Sequence, residues 1–105
     1  MTTLNLTVGA NGDDGMCFGA TFYSQYLQPG TSGGVAADGW ARFTNVTIAQ
    51  GSTINTAALT GRANAAGDAH LNIYCNDADN ATAPTSRTTY DAKAVTTGTA
   101  WNTGS

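Results

Sequence analysis

The chain contains no glutamate and a single lysine, Lys93, while threonine, alanine, glycine and asparagine fill much of its length. Glutamate and lysine are among the residues from which soluble helices are ordinarily built. Threonine's branched Cβ restricts χ1 and favours extended backbone, and glycine and asparagine favour turns. A chain so composed is expected to be all-β with many turns. The 105 residues fit one domain spanning 1–105, since domains commonly run to about 100–150 residues. Hydrophobic residues make up 41%, much of it alanine, with three Phe and two Trp. One modest core is what this supports.

Charge narrows the function classes. Only 10% of residues are charged and the net charge is −3. Arg42, Arg62, Arg87 and Lys93 are scattered, so no basic stripe forms against phosphates, and nucleic acid is not an expected partner. No run approaches the roughly 20 apolar residues of a membrane span, so membrane insertion is not expected. Met1 to Leu4 shows no basic start followed by an apolar stretch, so no signal peptide is visible. The expectation is synthesis in a cytosol; work outside a cell, in an extracellular setting or on the surface of a particle, would then be reached by lysis, by assembly, or as part of a larger protein.

Alternation of apolar and polar residues predicts the strands. Leu4, Leu6 and Val8 alternate with Asn5 and Thr7 as a half-buried strand does. Met16 to Leu27 places Phe18, Phe22 and Tyr26 on one face of a further strand, and Gln28 to Gly39 is expected as a loop. In Trp40 to Ile48 the parity of Phe43 differs from that of Val46 and Ile48, which predicts a bulge near Thr44-Asn45. Ala49 to Ser52 then reads as a turn, and Thr53 to Arg62 as a return strand. After a loop at Ala63–Ala69, His70 to Cys75 alternates cleanly, Arg87 to Val95 reads as a weaker strand, and Thr99-Ala100-Trp101 begins another. Strands at such intervals predict an antiparallel β-sandwich, jelly-roll-like.

The Arg42-Phe43-Thr44-Asn45-Val46-Thr47-Ile48 phrase, with Gln50-Gly51-Ser52-Thr53-Ile54 and Ala57-Ala58-Leu59, resembles a hairpin in β-sandwich modules of phage virion and bacterial surface proteins, a jelly-roll type akin to carbohydrate-binding modules. The resemblance extends through Asn72-Ile73-Tyr74, Asp77 to Ala81, Ala83 to Ser86 and Thr96 to Trp101, so it covers about residues 40–101. Two departures stand out. Ala49 occupies a position where proline is usual, and such modules continue past the tryptophan, whereas this chain stops at Ser105. Against that resemblance either the domain is a minimal one or a neighbouring subunit supplies the missing strands, and completion by a neighbour is the favoured expectation.

Few residues offer chemistry. Asp77, Asp79 and Asn80 could contribute oxygens to Ca²⁺, but the ion needs six to eight and no complete loop is present. Closure of Asx turns by these side chains is the favoured reading; no other cofactor is expected. His70 is the only histidine, and no basic residue adjoins Cys17 in the sequence. An enzyme is not expected. Cys17 and Cys75 sit at opposed strand parities, which weighs against a disulfide unless a bulge reverses the parity. Trp40, Tyr23 and Tyr74 are the aromatic candidates for stacking against a sugar ring, set against core or subunit-contact roles for tryptophan. The leading expectation is a virion-associated structural protein, a capsid or tail decoration binding other subunits of a particle or copies of itself. The alternative is a carbohydrate-binding or host-attachment module.

Overall fold

A computed structural model of the protein describes residues 3–62, 70–78 and 80–102. Two tight hairpins organise its first half. β1 (Asp14–Phe18) and β2 (Thr21–Ser24) pair so that Phe18 faces Thr21 across the Gly19-Ala20 turn. Gly19 takes φ 56°, the positive value that glycine supplies at the first central position of a type II′ turn. β3 (Gly30–Ser32) and β4 (Val35–Ala41) meet across Gly33-Gly34 at φ 57° and 80°. Two consecutive positive values are the mark of a type I′ turn, whose twist matches that of the strands it joins.

Antiparallel pairing of β1 with β4 joins the hairpins into one sheet of order β2-β1-β4-β3. Arg42 N–H donates to Asp13 O at 2.7 Å and Gln25 N–H to Asp14 O at 2.9 Å. These bonds carry the ladder just past the strand ends. β2 and β3 are the outer strands, each with one edge unpaired among the described residues.

This arrangement corrects two sequence expectations. Met16 to Leu27 is not a single strand, because Gly19-Ala20 folds it back on itself. Phe22 consequently shares a face with Cys17, its direct partner, and not with Phe18. Gln28 to Gly39 is not a loop but holds β3 and most of β4. Small residues such as Ala36, Ala37 and Gly39 gave that stretch no visible alternation.

Other expected strands do not form. Residues 3–9 carry no strand despite the Leu4, Leu6, Val8 alternation, and neither does any of residues 42–62. An apolar face is not enough; a ladder also needs a second backbone in register. The turn at Ala49–Ser52 does form, with Ser52 N–H donating to Ala49 O at 3.1 Å and Gly51 at φ 83°. Asn45 takes φ 60°, where the alternation slips. The expected loop at Ala63–Ala69 lies outside the described residues.

The second sheet pairs β5 (His70–Ile73) with β6 (Thr99–Asn102), Ile73 facing Thr99. Pairing resumes at Asn76 and Val95. Between the two pairings lie Tyr74 and Cys75 on one side and Thr96, Thr97 and Gly98 on the other, with Thr96 N–H donating to Cys75 O at 3.0 Å. Gly98 suits the place, since the Tyr74 ring lies where a Cβ would stand, 2.5 Å from it.

Arg87 to Val95, expected as a strand, instead opens with a helix, α1 (Arg87–Asp91). Ser86 caps it: its hydroxyl accepts from Thr89 N–H at 3.1 Å, and Ser86 N–H donates to Thr89 Oγ1 at 2.9 Å. This is a capping box with threonine in the place usually held by glutamate or glutamine. The described chain is all-β in character, with two antiparallel sheets and one five-residue helix. Cys17, at 0% exposure, is its only fully buried hydrophobic side chain among the described residues.

Candidate functional site

Register fixes what surrounds Cys17. Its partners are Phe22 on β2 and Asp38 on β4, while neighbouring Gly15 pairs with Ser24 and Trp40. Directly paired residues share a face of a sheet. Phe22 and Trp40 therefore stand beside Cys17, and their rings stack at 6.0 Å with 13° between planes. Trp40 lies over Gly15, and its Nε1 is buried without a hydrogen-bond partner among the described residues.

Arg87 brings α1 onto this face. Its Nη1 lies 3.3 Å from Asp38 Oδ2 and donates to Gly19 O at 3.2 Å, its Nε donates to Asp91 Oδ2 at 2.9 Å, and the guanidinium sits 5.6 Å from the centre of the Tyr90 ring. The bond to Asp91 leads in holding the guanidinium pKa above its ordinary value. Burial pushes the Cys17 thiol up; the facing Arg87 opposes that shift without overcoming it. Burial likewise raises the Tyr90 phenol. Cys17 is thus held as a neutral thiol, a poor nucleophile.

Sequence reasoning missed this cluster because its members are remote in the chain. Asp38 and Arg87 are 49 positions apart, and Gly19 and Arg87 are 68 apart. The only local signal was Ser86 three residues before Thr89. A second arginine plays a comparable part: Arg42 pairs with Asp13 at 3.1 Å and donates to Ala81 O at 3.1 Å.

The three aromatic candidates do not converge. Trp40 belongs to the Cys17 face. Tyr23 pairs with Met16 on the opposite face and is 42% exposed. There, Tyr23, Met16, Phe18, Gln28, Pro29 and Thr31 help line an open groove of about 260 Å³. Tyr74 follows directly after β5 of the other sheet, is exposed, and has its ring against Gly98.

Of the calcium candidates, Asp77 is exposed and its N–H donates to Ala94 O at 2.8 Å. Asn80 is exposed at φ 52°, and Asp79 lies outside the described residues. No group of three or more His, Cys, Asp or Glu converges among the described residues. The left-handed backbone of Asn80 is one that asparagine tolerates better than most residues. Cys17 and Cys75 are both free thiols, the first buried in the four-stranded sheet and the second exposed beyond β5. His70 opens β5 opposite Asn102. No helix among the described residues is long and apolar enough to cross a membrane.

Comparison with protein-family models, curated proteins and solved structures finds no match for this chain.

Proposed function

We propose that this protein is a non-enzymatic structural module of a virion, a capsid or tail decoration whose all-β fold is completed into a jelly-roll-like sandwich by neighbouring subunits. One observation carries the reading. In the stretch that resembles the virion modules, Val46, Ile48, Ile54 and Leu59 are 52%, 45%, 61% and 51% exposed, on backbone that belongs to no strand. Apolar side chains concentrated in one segment favour burial against another surface. A segment outside any strand can add to an open sheet edge. The β2 and β3 edges offer such a template in every copy.

Sedimentation velocity across a concentration series, with electron microscopy of the same material, tests this. Association into defined particles or rings, lost in an Ile48→Asp, Ile54→Asp double variant, supports it. A stable, well-folded monomer at micromolar concentration overturns it.

The groove beside Tyr23 supports a second reading, attachment to a neutral glycan. An aromatic wall with amide and hydroxyl groups from Gln28, Thr31 and Ser32, and no charged side chain in its described lining, suits a sugar ring. Glycan-array binding that Tyr23→Ala abolishes would support it, and an array blank for the unaltered protein would remove it.

A further inference from the structure

We propose that α1 is a strap latched by Arg87 over the Cys17 face, and that it opens without unfolding of the four strands to expose Cys17. Cys17 is wholly inaccessible, yet no residue of the helix that reaches it is itself buried. Five residues are also far too few to hold helical form unaided; isolated helices shorter than about 12–15 residues are marginal.

The identified ties of this strap to the sheet are polar. Arg87 reaches Asp38 and Gly19 O, and Arg42 holds the preceding segment through Ala81 O. The Arg87 and Asp38 side chains are 34% and 49% exposed, so water and salt compete for their pairing. By contrast, β1 is hydrogen-bonded along both edges, to β2 and to β4. The energetic contrast between sheet and strap places the opening at their junction. The charged and titratable groups around the latch are Asp38 from β4, Cys17 from β1, and Tyr90 and Asp91 from α1 itself.

Thiol labelling tests the proposal in a Cys75→Ser background, where Cys17 is the only cysteine. The labelling rate of Cys17 with a maleimide is followed at neutral pH through a urea series below the unfolding transition. The strap predicts a rate flat in low urea and faster in higher salt. Arg87→Ala and Asp38→Asn should each raise it about five-fold, while Arg87→Lys falls between. A rate that tracks global unfolding throughout the series overturns the proposal. So does a rate unchanged in both variants while circular dichroism shows the sheet intact. Should Arg87→Ala fail to fold, Asp38→Asn and the salt series decide alone.

Discussion

Gly15 and Trp40 are register partners across β1 and β4, and the indole occupies the space that a side chain on Gly15 would need. A Cβ there would stand 2.7 Å from two atoms of the indole and would also collide with the carbonyl oxygen of Tyr23. Neither obstacle is a flexible chain end. Gly15→Ala is expected to destabilise the protein by about 1–3 kcal/mol, read as a lower urea midpoint with a shift in tryptophan emission. Gly12→Ala, with open space around it, is the control and should leave the midpoint in place.

The Gly33-Gly34 turn separates two glycines by what they tolerate. Both have positive φ, but asparagine enters such positions readily and β-branched residues do not. Gly33→Asn should stay within about 0.5 kcal/mol of the parent, and Gly34→Val should cost about 1–2 kcal/mol. Paired urea melts at equal protein concentration would check both, and equal costs for the two variants would count against the turn.

Alkaline pH should weaken the fold through Cys17. Its pKa is raised in the folded state, so the folded protein holds the thiol proton longer than the unfolded chain does. The associated stability is fully present below the unfolded value, about 8.5. It is lost as pH rises through the folded value. Tyr90 shifts in the same direction and acts at higher pH. Unfolding free energy measured from pH 7 to 10 should fall less steeply for Cys17→Ala than for the parent. Parallel slopes would show that the thiol contributes nothing.

At Asn80 the backbone matters more than the side chain's oxygens. With φ 52°, Asn80→Ala should cost about 1–2 kcal/mol and Asn80→Gly at most a few tenths. Millimolar calcium should leave the melting midpoint where it is. A rise that a chelator reverses, and that Asp77→Asn removes, would instead place a metal at this turn.

How much of this was legible in the sequence depends on how local the signal was. His70 to Ile73 and the strand at Thr99 were readable from their own residues, as was the Ala49–Ser52 turn. Hairpin β3–β4 was partly legible, for Gly33-Gly34 announces a reversal, but the small residues of β4 hid the strand. Leu4, Leu6 and Val8 show the opposite case: a clear pattern with no strand, because pairing depends on a second backbone. α1 was obscured by β-branched Thr88 and Thr89, whose intrinsic preference is overcome by the Ser86–Thr89 cap and the Arg87 anchor. Strand parity and loop position point to Tyr23, Tyr74 and Trp40 as exposed aromatics, but neither tells which face of a sheet each takes, and the register sets Tyr23 and Trp40 on opposite faces.

The four-stranded sheet is drawn entirely from residues 14–41, and this has a consequence for synthesis. Both hairpins close over a few residues, and the β1–β4 pairing that unites them reaches no further than from Asp14 to Ala41, so every contact within the sheet is drawn from one short stretch of chain. A growing polypeptide presents all four strands before Arg87 emerges from the ribosome. Each new molecule therefore passes through a period in which the sheet exists and Cys17 is unguarded. Oxidants or neighbouring nascent chains can reach that thiol only then, or again when the finished strap lifts.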